Sequence, residues 1–139
     1  MIKDDAIIIL YDEDNRILLQ FRGPKAPSVQ NKWSFFGGGI EINENPEQAV
    51  KRESIEELNY NLNNPKLVYI LDYDLGYKKG KKYCFIEKYD SSKVLSLGEG
   101  DGMRWFSLEE IKLMDNLQEL CRIIIDKIVC FLPDNQNQG

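Results

Sequence analysis

The sequence contains no histidine in its 139 residues. That absence excludes Ser-His-Asp and Cys-His catalysis, imidazole-bound zinc and any proton relay through an imidazole. An active site in this chain must be built from carboxylates, backbone groups, lysine, tyrosine or a bound ion. Cysteine is scarce: Cys84, Cys121 and Cys130 make an odd number with no C-x-x-C pair. Neither a disulfide framework nor a zinc ribbon follows, and unpaired thiols fit a reducing, cytoplasmic setting. No apolar run reaches the length of a membrane span, so a membrane is not an expected partner. The apolar run at 6–11 is flanked by acids, unlike a signal peptide. Positive charge is also short. Asp and Glu number 23 against 18 Lys and Arg, a net charge of −5, which argues against nucleic acid as a partner. A small phosphate compound stays open, provided a divalent cation bridges the two.

What is present suits one domain with a proper core, expected over 1–132, followed by a polar, frayed tail at 133–139. Strands are predicted at 6–11, 16–22, 33–36, 66–75, 82–89 and 103–106. A loop is expected at 23–32 and a return to extended chain at 40–42. The clearest helix is 46–58. Asn45 and Gln48 form a capping box, Pro46 suits the first helical position, and Asn59 suits a left-handed stop. Ser107 and Glu110 form a second capping box, and 116–131 has the apolar spacing of a last helix. Strands, helix, strands, helices in that order predict an α/β fold, with one mixed sheet covered by helices on both faces.

The chemistry concentrates at 37–60, GGGIEINENPEQAVKRESIEELNY. Four of the five net negative charges fall within 41–57. On the helix, Glu53, Glu56 and Glu57 stand at i, i+3 and i+4, which places them within one sector roughly 100° wide. Like charges there oppose one another, and they lie near the end of the helix where the dipole disfavours anions. Arg52 can pair with Glu56, and a hard divalent cation suits the remaining oxygens. The alternative is a solvated acidic face. Gly37, Gly38 and Gly39 make poor core material, and they suit either a plain turn or backbone that must approach a ligand closely.

The spacing Gly38, five residues, Glu44, seven residues, Arg52-Glu53, two residues, Glu56-Glu57 resembles the signature of the Nudix hydrolases. The likeness covers 38–60, and the order of flanking elements agrees, including Arg104-Trp105-Phe106-Ser107-Leu108-Glu109-Glu110. Asn59 stands where the pattern has Gly, Ser54 where a larger apolar residue is common, Phe36 where Pro is frequent, and Asn43 for the Gly before Glu44. The resemblance implies an α/β/α sandwich and an enzyme that uses Mg²⁺, or Mn²⁺, to split a diphosphate joining a nucleoside to another group. It implies metal ligation by Glu53 and Glu57 with the carbonyl of Gly37 or Gly38. Glu56 would ligate or orient water, and Arg52 would brace the glutamates. Gly38, Glu41 and Glu44 would support the loop. Glu99 is the candidate for a further base or ligand, with Asp101 as its competitor. A non-catalytic nucleotide-binding module on the same fold is the alternative.

Other features have two readings each. Arg22 either contacts a substrate phosphate or ends a strand. Lys78, Lys79, Lys81 and Lys82 are either a solvated turn or a phosphate-steering patch. Trp33, Phe35 and Phe36, with Tyr69, Tyr73, Tyr77 and Tyr83, are either packing or the walls of a nucleoside pocket. The expected partner is a nucleotide-like small molecule, with the chain a monomer or a homodimer.

Overall fold

The computed structural model describes residues 1–98 and 100–133, so Glu99 and the tail 134–139 lie outside the described residues. Strand β1 (Asp5–Tyr11) is the spine. It pairs in parallel with β6 (Lys79–Lys88), and antiparallel with β4 (Phe36–Gly39) and, at Tyr11, with β2 (Ile17–Arg22). β5 (Lys66–Asp74) flanks β6, while β3 (Lys32–Ser34) and β7 (Gly102–Phe106) flank β2. The sheet is therefore mixed.

β1 reads DAIIILY, and its pleat sends alternate residues to opposite faces. Ala6, Ile8 and Leu10 pack with Ala49, Val50 and Leu58 of α1 (Pro46–Leu58). Ile7 and Ile9 pack with Ile111 of α2 (Leu108–Leu113) and with Cys121, Ile124 and Ile128 of α3 (Glu119–Ile128). One strand thus holds two cores, and the fold is an α/β/α sandwich. Phe35 and Phe36 divide the same way, one into each core, which makes them packing residues.

Both ends of α1 close as the sequence predicts. The Asn45 side chain accepts from the Gln48 amide at 2.8 Å, and the Gln48 side chain accepts from the Asn45 amide at 2.9 Å. Asn59 stops the helix in the left-handed region (φ 50°), and the buried Ser54 hydroxyl donates to the Tyr60 carbonyl at 2.9 Å. A larger apolar residue at 54 could not make that bond. Because left-handed backbone costs an ordinary L-residue ~1–2 kcal/mol, Asn59→Val should lose about that much stability in chemical denaturation. Asn59→Gly should stay within ~0.5 kcal/mol of the parent.

Three expectations need correction. The strand predicted at 33–36 is two strands broken at Phe35, and the second continues through the glycines. The extended chain predicted at 40–42 holds only at Ile40, whose amide donates to the Asp4 carbonyl at 2.9 Å, after which the chain turns: the Glu44 amide donates to the Glu41 carbonyl at 3.1 Å, and Asn43 is left-handed (φ 68°). Ile42 has nothing to pack on and is 91% exposed. The last helix begins at Glu119, not 116. Residues 116–118 are extended and clamp Trp33, whose amide donates to the Asn116 carbonyl at 2.8 Å while its carbonyl accepts from the Gln118 amide at 2.9 Å. Leu117 is buried by that clamp, which mimics helical spacing in the sequence.

Candidate active site

The glutamates of α1 face β4, and Arg52 ties them together. Its Nε and Nη2 donate to the two carboxylate oxygens of Glu44 at 2.7 and 3.0 Å, a bidentate pair. Its Nη1 donates to Glu53 Oε1 at 2.9 Å and to Glu56 Oε2 at 3.2 Å. Its Nη2 also reaches the Gly39 carbonyl at 3.0 Å. Glu41 is more distant, 3.7 Å from Nη1, and largely exposed. The bond to Glu44 comes first among the causes that push the Arg52 guanidinium up and hold the Glu44 carboxyl below its usual range. Glu44 Oε1 also accepts the Glu41 amide at 3.0 Å, so it fixes the turn before the helix.

Glu57 is buried, and its Oε1 accepts the Gly37 amide at 2.8 Å, which pins helix to strand. The side chains of Glu53 and Glu56 are 14% and 50% exposed, so water reaches Glu56 more freely. A Cβ on Gly38 would lie 2.5 Å from Glu53 Oε1, so glycine there leaves open the space in front of that carboxylate. The donor set is all oxygen and suits a hard divalent cation. Among the described residues, no three Asp, Glu or Cys side chains are already gathered around one point as a ready-made cage. Arg52 and the Gly37 amide hold the carboxylates instead.

The predicted residues do not all meet. Arg52, Glu53, Glu56, Glu44 and, more loosely, Glu41 form one cluster, with Gly37, Gly38 and Glu57 beside it. Arg22 lies apart, in a cavity of about 280 Å³ also lined by Gly37, Gly38 and Gly39, and donates from Nε to the Ser28 carbonyl at 3.0 Å. Asp101 is committed elsewhere: its Oδ2 accepts the Gly23 amide at 2.9 Å and anchors the end of β2. The Gly98 amide donates to the Glu57 carbonyl at 2.7 Å, so the segment before residue 99 is moored on the end of α1. Sequence reasoning missed this mooring, and also missed that Lys78 and Lys82 turn into the cavity beside the buried Asp5. The alternation of Gly80 between lysines was the available signal.

No helix among the described residues is long and apolar enough to cross a membrane. A family profile described as the NUDIX domain matches residues 1–125. An RNA pyrophosphohydrolase of Pasteurella multocida is 38% identical over 88 residues, 63% of this chain and 41% of that protein. The chain thus matches about two-fifths of the length of such curated relatives. Among solved structures, a MutT NUDIX hydrolase from Burkholderia pseudomallei has a TM-score of 0.80 at 23% identity, covering 92% of this chain and 98% of that one. The NUDIX domain of Shewanella oneidensis NrtR, complexed with ADP ribose, has a TM-score of 0.76 at 16% identity, covering 96% and 88%. These two likenesses speak to the fold.

Proposed function

Because the chain belongs to the NUDIX domain family, we propose that it is a pyrophosphohydrolase, cleaving a diphosphate that joins a nucleoside to another group. The observation that carries this reading is the Arg52 hub, which gathers Glu44, Glu53 and Glu56 in front of an open glycine strand. A solvated acidic face would not need a buried Glu57 bonded to Gly37 or a glycine opposite Glu53.

Glu53 and Glu57, with a β4 carbonyl, would hold Mg²⁺ or Mn²⁺. The ion would neutralise phosphate charge and polarise the P–O bonds, which an acidic surface alone repels. The chain's own contribution is positioning. Arg52 fixes the rotamers of Glu53 and Glu56. Glu44 holds Arg52 and the turn at Glu41. Glu57 sets the spacing between helix and strand. Glu56, half exposed, would be the carboxylate that takes a proton from the attacking water as a P–O bond breaks. Glu99 remains a second candidate for that proton.

The relatives named RNA pyrophosphohydrolase add a pyrophosphate-bearing RNA as a second substrate reading beside small nucleotides. A panel of nucleoside triphosphates, nucleoside diphosphate sugars and 5′-triphosphorylated RNA, run with and without Mg²⁺, tests the proposal. Release of phosphate or pyrophosphate, or of two monophosphates, only with the ion is the expected result. Tight binding without cleavage across the panel would instead favour the nucleotide-binding module.

A further inference from the structure

β4 stands between the acidic face of α1 and a cavity on the other face of the sheet. Among the described residues β1 is its one strand partner; its other edge is met by Glu57 at the Gly37 amide and by Arg52 at the Gly39 carbonyl, and the cavity lined by the three glycines opens on the face of the sheet away from α1. The two sides have opposite charge. The cavity is lined by Lys3, Arg22, Lys78 and Lys82, against one carboxylate, Asp5. A cationic wall is unexpected in a chain with a net charge of −5.

The wall is built rather than incidental. Asp5 is buried and holds Lys82 Nζ at 2.8 Å, with Lys78 Nζ at 3.7 Å. The Tyr73 ring sits under both ammonium groups, 4.7 Å from Lys82 and 5.6 Å from Lys78. The Tyr73 hydroxyl donates to the Lys3 carbonyl at 2.7 Å. Gly80 lets the N-terminal segment lie against β6, since a Cβ there would stand 2.1 Å from the Lys3 carbonyl oxygen. The Lys3 ammonium then lies over Gly39, 2.7 Å from where a Cβ would be, in the same glycine strand whose preceding residue, Gly38, faces Glu53. One carboxylate cannot neutralise three ammonium groups, and the surplus faces the cavity.

We propose that Lys3, Lys78 and Lys82 form a metal-independent phosphate subsite on the far side of β4 from the glutamates, holding an anionic part of the substrate beyond the bond that is cleaved. This rests on the pyrophosphohydrolase reading and narrows it. The favoured substrate carries further phosphate past the scissile diphosphate, as in a nucleoside triphosphate, in preference to a diphosphate ending in an uncharged sugar.

The direct test is binding of inorganic pyrophosphate by titration calorimetry in EDTA, where the glutamates alone repel it. Lys3→Gln and Lys78→Gln are the variants, because Lys82→Gln would strand the buried Asp5. Each should raise Kd about 5-fold, as the loss of one charge contact in a partly screened site implies. Lys88→Gln, an exposed lysine outside the cavity, should leave Kd unchanged. In turnover, the two lysine variants should raise KM for a nucleoside triphosphate by about the same factor, keep kcat within about twofold, and leave KM for a nucleoside diphosphate sugar unmoved. No binding in EDTA, indifference to the lysine variants, or an equal rise in KM for both substrates overturns the subsite. Lysine-dependent binding together with no Mg²⁺-dependent cleavage of any substrate would instead defeat the hydrolase reading and leave the subsite standing.

Discussion

Glu53→Gln is expected to lower Mg²⁺-dependent turnover at least ~100-fold while leaving the thermal unfolding transition nearly in place. The amide keeps the size of the side chain, and its oxygen still accepts from Arg52 Nη1. The bidentate pair of Arg52 with Glu44 is untouched, so the hub survives. What disappears is one negative charge facing Gly38. If Glu53 is a ligand, raising the Mg²⁺ concentration should recover part of the lost rate. Glu56→Gln should lose activity to a similar degree, but without rescue by metal, because a general base fails through its proton and not through ion affinity. The comparison is made by steady-state kinetics over a range of Mg²⁺. Activity close to the parent in Glu53→Gln would remove the assignment.

Alanine in place of each of the three glycines should give three different outcomes. At Gly37 the backbone has φ 145°, and a Cβ would stand 2.2 Å from the Ala6 carbonyl oxygen, in the central strand. Neither side can yield. Gly-only backbone costs an L-residue ~1–3 kcal/mol and overpacking a similar amount, so Gly37→Ala should cost about 3 kcal/mol or more, a fall of roughly 10 °C in melting temperature. At Gly38 the obstacle is the Glu53 carboxylate, the far end of a side chain that can swing away. Gly38→Ala should therefore stay folded and lose turnover. At Gly39 the obstacle is the flexible end of Lys3, so stability should change by less than ~1 kcal/mol. Calorimetric melting with parallel activity assays separates the three. Equal melting temperatures for the Gly37 and Gly39 variants would contradict the geometry.

The helix was legible in the sequence because its signals are local. Asn45, Pro46, Gln48 and Asn59 act within one turn of themselves, and α1 begins and ends where they put it. The crowding of Glu53, Glu56 and Glu57 on one face of the helix was legible for the same reason, and so was the pairing of Arg52 with Glu56. Long-range pairings were not. The clamp of Trp33 by residues 116–118 and the mooring of Gly98 on α1 are made by backbone groups far apart in the chain, and at the break between β3 and β4 the Phe35 amide donates to Cys121 Sγ and its carbonyl accepts from Gln20 Nε2. Backbone groups have no side-chain signature. Asp101 stood as the competitor to Glu99, and its partnership with the Gly23 amide, a long-range contact, had no local signal. The lysines of the hairpin left two readings open, a solvated turn or a phosphate-steering patch, because nothing local announces that Asp5, more than seventy residues earlier, turns two of them inward.

The placement of β1 also bears on how this protein comes apart. Its two edges are occupied along most of its length, and its side chains anchor the helices on both faces. Sub-global opening releases first those segments whose removal exposes little apolar surface, such as the loop at 23–32. Releasing β1 would undo both cores at once, so its separation coincides with complete unfolding. The strand that carries Asp5 and aligns Gly37 to Gly39 is thus in the slowest-opening part of the chain. Breathing of the surrounding loops can admit or release a ligand without disturbing the alignment of glycine strand and helix.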